Sequence, residues 1–389
     1  MEATKIGITG WGSVSALGSD KKEIWQNYLG NQHFFKKKTF LQEEDWCAPL
    51  AETSKEIIYA IKNEKHAYKN LDPSVIYAIQ ASRLAVKDAL WNNNDKEFGI
   101  NIGSSRGATT LFEKYHADFI ASQEKETYPL CSPATTLGNI ASWVATDLGT
   151  DGPAISHSIT CSTALHAIIN AVVWITSGYT DHFLAGGSEA PLTPFTLAQM
   201  KALKIYSSST EDFPCKAMDL DKQKSSMILG EGAACFSLEA NPENAIANIT
   251  GIGYGVEIIK NGASLSADAT CMQKAMQKAL KNHNPQSIDV VIMHSPGTVL
   301  GDVAEMKAIE AVFGNHLPLL TCNKWKLGHT FGASGALSLE MALLMIQHNQ
   351  FIAPPYLQAQ NQDRALKKIM INAVGFGGNA ASIIIEKAG

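Results

Sequence analysis

The chain has 389 residues, of which 45% are apolar and 18% charged, with a formal net charge of -5. This composition can bury a sizeable core and excludes a disordered chain, and the charge balance gives no basic footprint for nucleic acid. An early Glu2 argues against a secretion signal, and no uninterrupted apolar run approaches the ~20 residues of a membrane span, so a cytoplasmic protein of two domains or one duplicated unit is expected.

The elements follow in chain order. Lys5 to Gly12 (KIGITGWG) reads as a short apolar strand, followed by a helix from about Asp20 to Leu29. Residues 33–56 read as an irregular surface excursion of mixed charge. Helical periodicity runs from Tyr77 to Leu90, with Ile79, Val86, Ala89 and Leu90 to one side. Phe98 to Gly103 reads as a strand, Thr110 to Ser122 and Pro133 to Leu148 as helices, and His182 to Gly187 as a buried strand ending in a tight GGSEAP turn. Further strands are expected at Val290 to Met293 and Ile369 to Val374. Strands alternating with helices indicate an α/β fold with mainly parallel pairing. Two echoes suggest duplication. Ile8-Thr9-Gly10-Trp11-Gly12 recurs as Ile249-Thr250-Gly251-Ile252-Gly253, and CSTALH at Cys161 is echoed by ASGALS at Ala333. The seam falls in the polar stretch Glu239 to Ala247, which divides the chain into 1–245 and 246–389.

Seven cysteines stand at 47, 131, 161, 215, 235, 271 and 322. An odd number without CxxC spacing argues against a disulfide framework and a structural zinc site. Cys161 stands out, because SITCSTALHAIINAVVWI turns from small and polar residues into a run apolar on every helical face. Such a run reads as a buried helix. A thiol at its N-terminus meets unpaired N–H groups and the positive end of the dipole, which favour the thiolate. A cysteine packed as a small hydrophobe is the competing reading. Two histidines tip the balance: His294 opens HSPGTVLGD after a strand, and His329 closes LLTCNKWKLGH, five residues beyond Lys324. A thiol with two such histidines is the Cys/His arrangement of nucleophilic catalysis, and metal-ligand spacing is absent. The glycine segments GSSRGATT and GFGGN match neither a phosphate-binding loop nor a dinucleotide fingerprint.

Six motifs in one order, TCSTALHAI, AGGSEAPLTPF, MILGEGA, HSPGTVLGD, NKWKLGHTFGASG and GFGG, resemble those of the β-ketoacyl-[acyl-carrier-protein] synthases of the thiolase superfamily, over essentially the whole chain. The resemblance implies duplicated thiolase-like halves in a five-layered α-β-α-β-α sandwich, the first carrying the nucleophile and the second the two histidines. By position, Cys161 accepts the acyl group from acyl carrier protein, and His294 and His329 promote loss of CO2 from the malonyl thioester. The resulting enolate attacks the acyl-Cys161 thioester in a Claisen condensation, giving a β-ketoacyl product two carbons longer. Both steps need donors aimed at an oxyanion: the backbone N–H groups of Cys161 and Phe376 for the thioester, and the Nε2–H groups of neutral His294 and His329 for the enolate. Phe376 matches a gating aromatic, Lys324 a supporting lysine, Thr298 a contact to the phosphopantetheine arm, and Met227 and Gly377 the substrate-binding wall. No metal or organic cofactor is implied, since the carrier's arm brings the substrate. The partners implied are acyl carrier protein and a second subunit, in a homodimer or a heterodimer with a chain-length factor, joined through an edge strand beside the Cys161 helix. Lys201, Lys204, Lys65 and Lys69 are candidates for a basic carrier-docking patch.

The sequence departs from the family's pattern at several positions. Pro296 replaces the first threonine of the histidine motif and offers neither hydroxyl nor N–H. Ser338 stands where the family has a glutamate partner for the lysine; Glu340, two positions on, points about 200° around a helix. Lys224-Ser225-Ser226-Met227 replaces arginine-aspartate-glycine-phenylalanine, and Asn379-Ala380 follows GFGG in place of threonine-asparagine. These changes suggest a specialised acyl pocket, as in aryl-polyene or other polyketide-like synthesis, with drift in a fatty-acid enzyme as the competitor. A non-catalytic chain-length-factor-like subunit is the alternative from another class, opposed by the retained cysteine. A degradative thiolase would need a late second cysteine in a glycine-rich loop, and Cys322 is not so placed.

Overall fold

The computed structural model describes residues 4–40, 43–91, 97–137, 139–258 and 265–389. The first half runs β1 (Ile6–Val14), α1 (Lys21–Leu29), a hairpin of β2 (Lys36–Phe40) and β3 (Glu43–Cys47), α2 (Glu52–Glu64) and α3 (Pro73–Asp88). It continues through β4 (Gly99–Gly103), α4 (Thr109–Ala121), α5 (Cys131–Thr135), α6 (Asn139–Leu148), β5 (Ala154–Ile155), α7 (Thr163–Thr176), β6 (His182–Glu189), α8 (Pro194–Ala202) and β7 (Gly232–Ala240). The second half runs β8 (Ala247–Val256), α9 (Thr270–Ala279), β9 (Val290–Ile292), α10 (Val299–Phe313), β10 (Leu319–Thr321), α11 (Lys324–Leu327), α12 (Ser334–His348), β11 (Lys368–Gly375) and β12 (Asn379–Lys387).

The strand order is β10-β9-β11-β12-β8-β1-β7-β6-β4-β5. Read outward from the β8/β1 junction, both halves repeat the same sequence of pairings: two antiparallel, then two parallel. The junction itself is short, with Ile6, Gly7 and Ile8 opposite Ile249, Asn248 and Ala247. Helices α7 and α12 pack on each other and touch strands of both halves, whereas α3 covers β1, β7 and β6, and α9 covers β8, β12 and β11. Two outer helix layers, the two halves of the ten-stranded sheet and a shared central pair make five layers.

The glycine repeat has a packing cause. A Cβ on Gly12 would lie 2.2 Å from the Leu84 Cβ of α3, and one on Gly253 would lie 1.9 Å from the Ala275 carbonyl of α9. Glycines at these positions let a helix backbone settle onto the strand in each half. The second echo marks the crossing of the central pair, where a Cβ on Gly335 would stand 2.7 Å from Leu165 Cγ.

Four local expectations differ from the structure. Residues 33–56 hold a regular hairpin and the start of α2. The helix expected over 133–148 is two elements, α5 and α6, and Gly138 between them lies outside the described residues. Strand β6 runs buried through Glu189, past the expected turn. Helix α7 has an open flank, with Asn170 exposed and Val173 52% accessible; the helix buried on every face is α12, from Ser334 to Ile346. The seam read from the sequence lies between the end of β7 and the start of β8.

Candidate active site

Cys161 sits two residues before the first helical residue of α7, with Ser162 as N-cap. The turn that presents it is held by Ser162 N–H donating to the Ile159 carbonyl (3.2 Å) and Thr163 N–H to the Thr160 carbonyl (3.3 Å). The Thr163 hydroxyl accepts from Ile159 N–H at 2.8 Å. The glycine turn between β11 and β12 reaches this point from the other half. A Cβ on Gly375 would lie 1.7 Å from Thr160 Oγ1 and 2.9 Å from Cys161 N, so only glycine permits the approach. Thr160 Oγ1 donates to the Phe376 carbonyl at 3.2 Å.

His294 follows β9, and its loop is clamped by Glu305 from α10. The Glu305 carboxylate accepts from His294 N–H at 2.8 Å and Ser295 N–H at 2.7 Å. Asp302, one turn earlier on the same helix, accepts from Gly297 N–H at 3.1 Å. Thr298 caps α10 through Gly301 N–H (3.2 Å). His329 is fixed by its backbone: its N–H donates to the Ile228 carbonyl (2.7 Å), and its carbonyl accepts from Gly230 N–H (3.1 Å). The two imidazoles stand 5.1 Å apart between centroids, nearly perpendicular at 84°. A left-handed non-glycine residue lies beside each group: Thr160 (φ +47°), Ser295 (φ +25°) and Phe331 (φ +41°). Such strain persists only where surroundings enforce it.

Cys161, His294 and His329 line one cavity of about 520 Å³, with Met227, Thr298, Phe331 and Phe376 also on its wall. Met227 is buried, while Phe376 is 40% exposed. Pro296 lines the cavity and offers it neither hydroxyl nor N–H. Gly377 is absent from the wall; it forms the turn, with φ +89°. Lys324 opens α11, fully buried behind the cavity.

The electrostatics follow from burial. Desolvation, reinforced by the Lys324 charge, lowers the pKa of both imidazoles, that of His294 well below its ordinary value and that of His329 to about 3. Both rings are neutral at pH 7, and the Nδ1 of each is buried without a hydrogen-bond partner among the described residues. Burial likewise lowers the Lys324 pKa, opposed by Cys322 and Glu305. Burial and then the Glu189 carboxylate push the Cys161 thiol up to about 12, against the pull of Lys324 and Arg106. Against the expectation of a ready thiolate, burial of Cys161 and the Glu189 charge favour the protonated thiol.

Sequence reasoning missed the acid that faces Lys324. It is Glu305, raised to about 7 by burial and held down by the two N–H donors and Lys324. Glu340 points elsewhere, accepting from the Ser13 hydroxyl and from Tyr28 Oη (3.1 Å). The available signal was the i, i+3 pair Asp302/Glu305 among Ala304, Ala308 and Ile309 in one short helix. Among the candidate docking lysines, Lys201 is paired with Glu43 (2.7 Å) and Asp45 (2.8 Å), and Lys65 with Asp147 (3.6 Å). None of the four lines the cavity, whereas Lys307 does.

Among the described residues no helix is long and apolar enough to cross a membrane, and no group of three or more His, Cys, Asp or Glu is placed to hold a metal. Among curated proteins, the chain is 26% identical to the 3-oxoacyl-[acyl-carrier-protein] synthase 2 of Coxiella burnetii, over 100% of this chain and 99% of that one. Among solved structures, it superposes on the ishigamide ketosynthase/chain length factor with a TM-score of 0.88 at 20% identity, covering 100% of both chains. A β-ketoacyl synthase from Burkholderia phymatum gives 0.85 at 24% identity, covering 99% of this chain and 100% of that one. The sequence model of the β-ketoacyl synthase N-terminal domain matches residues 3–244, and that of the C-terminal domain matches residues 247–359. Since the first of these matches alone takes in more than half of the chain, the protein belongs to the β-ketoacyl synthase family.

Proposed function

We propose that Cys161 carries the acyl group in a decarboxylative Claisen condensation between acyl- and malonyl-carrier protein, with His294 and His329 as the enolate-binding donors. The observation that carries this reading is the shared cavity, in which one thiol and two neutral imidazoles meet at the seam of the two halves. In the first step the thiol loses its proton as its sulfur bonds to the acyl carbonyl, and the carrier's pantetheine thiolate leaves protonated. The N–H groups of Cys161 and Phe376 receive the oxyanion. In the second step the malonyl thioester loses CO2, and its carbonyl oxygen takes on the enolate charge. Buried Nδ1 atoms leave Nε2 as the nitrogen of each ring that can donate to it. The enolate carbon then attacks the acyl-Cys161 carbonyl and releases the sulfur. Burial keeps both rings neutral, and the positive charge of Lys324 reinforces it.

Altered wall residues, Ser225, Met227 and Pro296, support a specialised pathway of polyene or polyketide type over general fatty-acid synthesis. The two-residue edge strand β5 and the open flank of α7 support a second subunit on that side, either a copy of this chain or a chain-length-factor-like partner. Intact-protein mass after incubation with a panel of acyl-carrier proteins tests the reading. One acyl group should appear on the wild type and none on Cys161→Ala. Malonyl-carrier protein should then discharge it as a β-ketoacyl product. Acylation of the alanine variant would overturn the assignment of Cys161, and a wild type that never acylates would favour a non-catalytic subunit.

A further inference from the structure

A pantetheine arm that reaches Cys161 must bring two amides into the cavity, each stripped of water on the way. A buried amide carbonyl without a donor is costly, and much of this wall is apolar, with Leu203, Ile205, Val299 and Val303 among its members. Pro296, on the same wall, has no N–H to offer. The side-chain donors of the described wall are few, and most are engaged. Ser266 gives its proton to Glu257 at 2.9 Å, Lys307 stands 3.9 Å from Asp268, and the two imidazoles face the enolate. Two hydroxyls remain, those of Ser225 and Thr298.

Both hydroxyls are held in the same manner. Thr298 Oγ1 accepts from Gly301 N–H at 3.2 Å, and Ser225 Oγ, from 74 positions away, accepts from Val299 N–H at 3.3 Å. Each oxygen is thus tied to the first turn of α10, and neither hydroxyl donates to an acceptor among the described residues. Ser226 joins the two segments: its N–H and its hydroxyl both donate to the Gly297 carbonyl, at 2.8 and 3.1 Å, and its Oγ accepts from Lys216 N–H at 2.9 Å. The one proton of Ser226 is therefore committed, and Ser225 is the serine of this segment that the cavity meets. A hydroxyl whose oxygen is fixed by a backbone N–H and whose proton has no acceptor is a donor set in place for a ligand. We propose that Ser225 is a positioning residue for the carrier's arm: its hydroxyl donates to an amide carbonyl of the pantetheine, on the wall where Pro296 cannot. The group it holds is the arm, not the acyl chain. This inference rests on delivery of the acyl group to Cys161 by such an arm.

The test compares two thioesters of one acyl group, the group loaded best from carrier protein. The pantetheine thioester carries both amides, and the ethanethiol thioester carries none. The rate of mass gain at Cys161 is followed for each. In Ser225→Ala the ratio of the pantetheine rate to the ethanethiol rate should fall by about threefold to tenfold, as loss of one neutral hydrogen bond predicts, and the change should appear in KM. Ser225→Thr, which keeps the hydroxyl, should hold the ratio near that of the wild type. A serine that only caps α10 would slow both thioesters alike when removed, so an unchanged ratio in Ser225→Ala would overturn the proposal. A ratio that falls as far in Ser225→Thr would overturn it as well. If wild-type Cys161 gains mass from neither thioester nor from any acyl-carrier protein, the nucleophile assignment itself fails, and this inference falls with it.

Discussion

The thiol of Cys161 lies in a balance of nearby charges that its position in the chain does not reveal. Burial and Glu189 hold the proton on, while Lys324 and Arg106 favour its loss. Glu189 is itself pushed up to about 7 by burial, with the hydroxyl of Ser104 and the N–H groups of Ser105 and Arg106 opposing. It is therefore neutral in mild acid and anionic above neutrality. Glutamine keeps an acceptor for those donors but removes the charge. The sign follows: Glu189→Gln should lower the thiol pKa only where the wild-type acid is ionised. Alkylation of Cys161 by iodoacetamide should be severalfold faster in the variant at pH 8.5, and equal to the wild type at pH 5.5. A difference of the same size at both pH values would show that the carboxylate's charge is not what holds the proton. His329 places no such demand on pH: a ring whose pKa lies near 3 stays neutral from pH 6 to 8.

At the scale of elements, α10 anchors the site through acids that would ordinarily face water. Asp302 accepts from Lys222 Nζ (2.7 Å), Met218 N–H (2.9 Å) and Gly297 N–H (3.1 Å), tying the 216–227 segment and the His294 loop to one helix. Both members of the ion pair are buried, at 4% and 0% side-chain exposure. Removing one partner strands the other as an uncompensated buried charge, so Lys222→Ala should cost about 3–5 kcal/mol in urea unfolding. Lys201→Ala, which breaks pairs with Glu43 and Asp45 at the surface, should cost under about 1 kcal/mol. Equal costs would show that the buried pair is not what ties the segment down. Elements of this kind mark the limit of what was legible beforehand. The glycine repeats of β1 and β8 could be read, because a helix pressed on a strand demands glycine at those spacings. That Cys161, His294 and His329 would come together could be read, because thiol and imidazole chemistry leaves few alternatives, and the three line one cavity. Glu305 and Asp302 could not, since an acid in a helix is by default a solvated one. The β2–β3 hairpin was missed because its regularity lies in cross-strand pairs such as Lys38 opposite Asp45, which exist only once the register is known. The open flank of α7 was missed because Val173 is as apolar as its buried neighbours.

At the scale of the whole molecule, two equivalent halves have become one working unit. Cys161 comes from the first, while His294, His329 and Phe376 come from the second, and the cavity exists only where they meet. The direct sheet contact between the halves is three residues long, so their union depends on the central layer. Helix α12 is buried from Ser334 to Ile346, and its Glu340 is bonded to Ser13 on β1 and Tyr28 on α1. Lys326, from the second half, donates to the carbonyls of Asn27 (2.7 Å), Gly30 (2.5 Å) and Gln32 (3.0 Å) in the first. Separating the halves at 245/246 would expose the inner faces of α7 and α12, leave a buried lysine and glutamate without partners, and uncover apolar surface that drives aggregation. The halves should therefore be repeats in topology without being independent folding units. Residues 1–245 and 246–389 produced separately should each lack a cooperative thermal transition, whereas the intact chain should melt in one. A native-like cooperative melt from either fragment alone would show instead that each half carries a self-sufficient core, and that the central layer is only an interface between two domains.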